Sequence, residues 1–193
     1  MVHARTIAGK TYSFIVSGKL RRNSLIMQDR ETGTLWSHVT GRALSGKLAG
    51  RELDTVPSVQ TTWKKWAKAH PKTLVLKKAE KVSASHYQDY FDDLKRMGII
   101  RTHLQLKKLP GKTLVQGLRL GDHAIAVPDS MLVAGEERTL RLGSVSIIMA
   151  READGGVRAY LLQEKGGGGA ELPVREAFWF AWLSFFPNTE VFE

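Results

Sequence analysis

Two tryptophans three residues apart occur twice in this chain, each time inside the same frame. Pro57, Trp63, Trp66, Pro71, Thr73 and Val75 return at a constant offset of 116 as Pro173, Trp179, Trp182, Pro187, Thr189 and Val191. Six identities at one spacing, two of them tryptophans, point to duplication. The segments TTWKKWAKAHPKTLVL and AFWFAWLSFFPNTEVF read as one unit: a helix with two Trp about a turn apart, stopped by proline and followed by an extended strand. A looser match relates Leu25–Leu35 to Ile147–Val157 at an offset near 122, so a loop changed length between the copies. The expected fold is α+β, mostly β, with two degenerate repeats of β-hairpins plus one Trp-rich helix in a single globular unit. Residues 1–82 form the first repeat with its helix over 60–70, residues 83–112 a helix and basic connector, and residues 113–193 the second repeat with its helix over 174–185.

Alternation and β-branched or aromatic content place strands at 11–17, 24–29 and 34–40, with turns between them. Residues 44–56 continue as short irregular strands, since Gly46 and Gly50 interrupt them. Thr61 or Thr62 caps the first helix and Pro71 ends it, with a short strand over 73–76 leaving it. Ser83 is positioned to cap a second helix in which Tyr87, Tyr90, Phe91 and Leu94 share one face, and Gly98 closes it. Strands follow at 114–120, 123–127, 138–142, 145–149 and 157–163. The four glycines at 166–169 read as a loop; no Lys-Ser/Thr follows them, so they do not make a phosphate-binding loop.

Length and composition set outer bounds. At 193 residues and 21.5 kDa the chain holds one large domain or two small halves sharing a core. No apolar run approaches the ~20 residues that cross a bilayer, and residues 1–10 do not resemble a signal peptide, so the sequence as given reads as cytoplasmic. A fragment or mature form of an exported precursor has the same appearance. The chain has no cysteine, which excludes disulfides, thiolate metal sites and cysteine nucleophiles. Its six histidines are scattered without the i, i+4 spacing of a helical metal site, so neither a metal nor a cofactor is expected.

Charge is distributed unevenly. Residues 113–193 hold 7 basic and 11 acidic groups; subtracting these from the totals of 29 and 19 leaves 22 and 8, or +14, in residues 1–112. Lys19, Arg21 and Arg22 lie in one loop, and Lys64, Lys65 and Lys68 on the first Trp helix, with Lys72, Lys77, Lys78 and Lys81 after it. Such a basic face suits an acidic protein partner or a larger complex, and also nonspecific nucleic-acid binding, although no helix-turn-helix, zinc finger or RNP-type strand is present. The second Trp helix is instead apolar on every side, which fits either a buried core helix or a docking surface through Trp179, Phe180 and Phe186.

The densest polar cluster is Asp29, Arg30, Glu31, Thr32, Trp36, His38 and Thr40, on two strands joined at Gly33. An enzymatic reading has Asp29 orienting His38 as a general base while Arg30 holds an anionic substrate, in a hydrolase-like or small-ligand site. The plainer reading has Asp29 and Thr32 building the turn through side-chain hydrogen bonds while Trp36 packs inward.

GTLWSHVTGRALSGKLAG, the preceding FIVSGKLRRNSLIMQDRET and the two Trp-x-x-Trp…Pro-x-Thr-x-Val units closely resemble a mainly prokaryotic family of unknown function, number 3179 among the catalogued domains of unknown function. The resemblance runs from Tyr12 to the C-terminus. It implies no activity, and relatives with Gln at the position of His38 argue against an acid–base role there. Longer members have an upstream segment with a Cys-Pro-Leu-Cys type motif and look exported; a thiol-based role would not transfer to this cysteine-free chain. Taken together, these features favour a non-enzymatic binding or accessory module, a subunit of a larger assembly.

Overall fold

A computed structural model describes residues 1–76, 85–99, 105–162 and 168–193. The first part contains β1 (Val2–His3), β2 (Thr6–Ile7), β3 (Lys10–Thr11), β4 (Phe14–Arg21), β5 (Ser24–Asp29), β6 (Leu35–Ser37), β7 (Ala43–Ser45), β8 (Thr55–Val56) and α1 (Trp63–Ala69). A linking helix, α2 (Ser85–Asp92), comes next. The second part contains β9 (Leu114–Leu120), β10 (His123–Pro128), β11 (Glu137–Leu142), β12 (Val145–Arg151), β13 (Val157–Leu162), β14 (Gly168–Leu172), β15 (Arg175–Phe178), α3 (Trp179–Phe185) and β16 (Glu190–Val191).

The duplication is visible in the topology. Each part has a four-stranded antiparallel meander, β4-β5-β6-β7 and β11-β12-β13-β14. In each, the strand after the meander pairs with a strand that precedes it: β8 with β1, and β15 with β9. A Trp helix then follows. Both helices end alike, His70 at φ −128°, ψ 69° and Phe186 at φ −127°, ψ 71°, each N–H returning to the carbonyl of the second Trp. Past the proline, Trp66 Nε1 donates to Thr73 Oγ1 at 3.0 Å and Trp182 Nε1 donates to Thr189 Oγ1 at 2.9 Å. The repeated Trp, Pro and Thr thus specify one local structure twice.

The main core lies in the second part. Side chains alternate across a strand, so Ile125 and Val127 of β10 face the β11–β14 sheet while Ala124 and Ala126 face α3. The sheet β15-β9-β10-β16 is therefore sandwiched, with Leu140, Leu142, Ile147 and Met149 on one side and Trp179, Trp182 and Phe186 on the other. Gly117 in β9 lets the helix approach: a Cβ there would stand 2.3 Å from the Trp182 ring. The first part has a smaller core of Trp36, Ala43 and Leu53, with Phe14 edge-on to Trp36 at 5.8 Å.

Several expectations need correction. The second Trp helix begins at Trp179, not at 174, because 175–178 is strand β15 paired with β9. Its first N–H groups are taken by neighbouring chain, Trp179 N–H by Thr113 O at 2.8 Å and Phe180 N–H by Gly111 O at 2.9 Å, so no side-chain cap is needed. Helix α1 begins at Trp63, with Thr62 as its N-cap. The expected strand over 73–76 has no partner strand among the described residues. Gly168 and Gly169 belong to β14 instead of a loop, while the rest of the glycine run and the Ser83 cap lie outside the described residues.

The packing difference between the two tryptophan helices has a measurable consequence. Trp182→Ala, which empties a sealed site against Gly117, is expected to cost about 3–5 kcal/mol in urea unfolding, whereas Trp66→Ala, which loses mainly one hydrogen bond, is expected to cost about 1 kcal/mol. Equal losses would mean that α1 is as firmly packed as α3.

Candidate functional site

The β5–β6 hairpin satisfies its polar groups internally. Asp29 is fully buried, and its Oδ2 accepts from Trp36 Nε1 at 2.8 Å. Its Oδ1 accepts from the Thr32 backbone N–H at 2.6 Å and hydroxyl at 2.7 Å. Thr32 and Thr34 hydroxyls meet at 2.7 Å, and Gly33, at φ 69°, takes the left-handed position of the turn. Burial pushes the Asp29 carboxyl upward, but hydrogen bonds from Trp36 and Thr32 more than offset this and leave its pKa below the ordinary value.

This geometry separates the residues that the enzymatic reading needs together. His38 N–H bonds Leu25 O, placing it opposite Leu25, four residues along β5 from Asp29, or ~13 Å at strand rise. Asp29 therefore orients Trp36 and not His38. Arg30 bonds Ser13 O through its backbone N–H and leaves its side chain exposed. The His38 ring instead meets that of His3, edge-on at 6.5 Å, and burial lowers the pKa of both imidazoles.

The basic residues divide between two supports. Lys19 and Arg21 are exposed on β4, whereas Arg22, at the tip of the β4–β5 hairpin, donates to Ser184 O and stacks its guanidinium 5.9 Å from the Phe185 ring. Arg22 thus ties the first meander to α3. Lys64, Lys65 and Lys68 are exposed on α1, which is anchored by the Thr61 hydroxyl donating to Asp154 O at the β12–β13 turn. Beside those lysines lie Trp63, 56% exposed, and Trp66, 36% exposed, then Leu74 at 95% and Leu76 at 88%. The duplicates of the two tryptophans are sealed: Trp179 and Trp182 are each 1% exposed, and Phe180 and Phe186 beside them are buried as well. The apolar second helix is thus a core element, and the open apolar face belongs to the first. Among the described residues no three His, Asp or Glu side chains converge as a metal site, and no helix is long and apolar enough to cross a membrane.

A further cluster joins the two parts. Arg175, on β15, is 6% exposed and donates from Nη2 to Thr55 Oγ1 of β8 at 2.9 Å. The Thr55 hydroxyl lies 3.4 Å from His3 Nδ1, and His3 Nε2 donates to His38 O at 2.9 Å. With neutral His3 the three links, Arg175 Nη2 to Thr55, Thr55 to His3 and His3 to His38 O, each run from a donor to an acceptor, which agrees with the lowered pKa of His3: burial first, partly offset by the bond to His38, then the Arg175 charge. Arg119 bonds Glu52 Oε1 at 3.1 Å and Gly121 O at 2.9 Å nearby. Sequence reasoning missed Arg175, yet a signal existed, because at offset 116 the first unit has Val59 in its place.

Asp29→Ala is expected to lower stability at pH 7 by about 2–4 kcal/mol, leaving the Trp36 indole N–H buried and unpaired. Because the folded pKa is depressed, the carboxylate's contribution is full above the ordinary value near 3.8 and fades as pH falls through the folded value. Acid titrations of wild type and variant should therefore converge below that point; a constant difference would mean that the ionised carboxylate is not what stabilises the turn.

No curated protein and no solved structure matches the chain. A family model described as a protein of unknown function, DUF3179, matches residues 1–189, and the chain belongs to that family.

Proposed function

We propose that the protein is a non-enzymatic binding module that docks an acidic partner protein on the open face of α1 and the segment after it. The supporting observation is the contrast between duplicates. In the second unit the same tryptophans, turn and strand are covered by β9 and β10, with Trp182 seated on Gly117, Ala124 and Ala126 in the same cluster, and β16 running parallel to β10. In the first unit Trp63, Leu74, Val75 and Leu76 are exposed, and β1 pairs with β8 over only two residue pairs against four for β9 with β15. The molecule thus contains an example of what such a face takes: extended chain with small side chains, added beside the Trp helix.

Charge favours an acidic partner. Residues 61–76 contain Lys64, Lys65, Lys68 and Lys72 and no Asp or Glu, so the apolar patch has a purely basic surround. Tryptophan anchors rimmed by charge are a common form of protein interface, with apolar contact giving affinity and charge giving orientation and rate. The enzymatic alternative gains no such support, since its would-be dyad is separated and Asp29 is occupied by the turn.

Native mass spectrometry of protein taken gently from its source should show a stoichiometric complex with an acidic polypeptide. Trp63→Ser with Leu74→Ser should weaken that complex by at least ~10-fold and leave the thermal midpoint nearly unchanged, because both side chains are exposed. Retention of the complex in the double variant would overturn the proposal, as would recovery of nucleic acid or lipid in place of a polypeptide.

A further inference from the structure

Arg175 sits where a buried cation has no counter-charge. Its Nη2 bonds Thr55, but Nε and Nη1 are buried and meet no acceptor among the described residues, leaving one N–H on Nε and two on Nη1 unpaired. One face of the guanidinium stands over the Phe186 ring at 5.9 Å, a contact that uses the π surface and leaves the in-plane N–H groups unsatisfied. Among the described residues no carboxylate pairs with it. Glu52, the acidic group that acts on it, is bonded to Arg119, and Arg119 stands 6.0 Å over the same Phe186 ring. Desolvation, then repulsion by Arg119, brings the Arg175 pKa down to about 10, so the group remains charged near neutral pH.

An unpaired buried charge is destabilising, and ionisable groups perturbed by desolvation in a cleft cluster at functional sites. Arg175 forms part of the wall of a cleft of about 410 Å³ between the two repeats, with Arg119, Thr55, Leu53, Gly121 and Pro173. That volume lies within the range of small-ligand sites. We infer that this cleft binds a small monocarboxylate, with Arg175 as the anion-recognising residue and Arg119 beside it.

The chemistry selects a single negative charge. Arg119 pairs with Glu52 and Asp54 is exposed to solvent, so the buried Arg175 is the guanidinium of the cleft that has no bonded carboxylate among the described residues, and one carboxylate would complete it. Glu52 and Asp54 also line the cleft and would repel the second charge of a phosphate dianion. Leu53 and Pro173 offer apolar wall to a short aliphatic substituent. The Thr55–His3–His38 hydrogen bonds hold the Nη2 edge of Arg175 and thereby fix its orientation.

The test titrates acetate, propionate and inorganic phosphate, each against chloride at equal ionic strength, following the thermal midpoint and the Arg175 Nε–H resonance of the full chain. Acetate and propionate are expected to raise the midpoint saturably and shift the resonance. Arg175→Met is expected to abolish the rise while being at least as stable as wild type in chloride, because a charge without a partner has been replaced by an apolar chain. Should Arg175→Met fail to fold, Arg175→Lys, which keeps the charge and loses the guanidinium donors, is expected to weaken the response at least tenfold. A midpoint and resonance that ignore carboxylates would overturn the proposal, as would a rise that persists in the variants; a stronger response to phosphate would overturn the ligand class.

Discussion

The hydrogen bond from the second tryptophan of each pair to the threonine seven residues on organises both halves of the molecule. It closes a turn that the intervening proline has already forced out of helix, and it gives a large indole its one required polar partner. In the second unit the Thr189 hydroxyl also donates to Phe186 O at 2.6 Å, so it accepts from Trp182 and gives to the helix end together. Each tryptophan also lies against the aromatic side chain four residues later, His70 at 4.0 Å and Phe186 at 4.4 Å between ring centroids. With the indole fixed at both its nitrogen and its face, the direction of the following strand is set. β16 then reaches β10 in parallel, and the sheet beneath α3 gains its fourth strand.

That shared local structure makes the difference between the copies informative. Had the first unit merely lost its apolar residues, its exposure would be ordinary drift of a surface helix. It shares both tryptophans, the proline, the threonine and Val75 with the second unit, and has lysines around them where the second unit has Phe180, Ala181 and Ser184. Lysine keeps such a patch soluble while its stem can lie on apolar surface, so charge and exposed indole together make the face proposed above to dock an acidic partner. The +14 of residues 1–112 against the −4 of residues 113–193 follows the same division: the half that encloses the core is mildly acidic, and the half with the open face is strongly basic.

What the sequence disclosed and what it hid follow from how local each signal is. The repeat, the strands of the first meander, most strands of the second part and the proline stops were legible because turns and alternation act within a few residues: β5, β9, β10 and β12 lie within a residue or two of their expected bounds. The start of α3 was not, since Arg175, Glu176 and Ala177 are all good helix formers and 175–178 is strand alongside β9. Burial of Trp179, Trp182 and Phe186 rather than exposure involves Ala124 and Ala126, which share their cluster, and Gly117, which makes room for the Trp182 ring, all more than fifty residues earlier in the chain. Asp29 and His38 shared a hairpin in the sequence, but the register that sets Leu25 opposite His38 holds them apart, a distance that composition does not encode.

Arg175 was hidden for a related reason, and its position bears on how the duplicated fold acquired a site. A pseudo-symmetric pair of units leaves a seam where unlike copies meet, here β8 and β1 of one against β15 of the other. At the seam the first unit has the apolar Val59 position of the repeat and the second has arginine, so the two copies differ in charge at equivalent places. Its nearest anchor, Thr55, belongs to the opposite unit, and the chain from Thr55 through His3 to His38 O runs back into the first meander. Neither half alone would hold the guanidinium in place. An arginine so placed is a poor contributor to stability, since its charge is desolvated without a carboxylate partner. Its retention in the interior of a small-cored protein is therefore better explained by what it can recognise across the seam than by what it does for the fold.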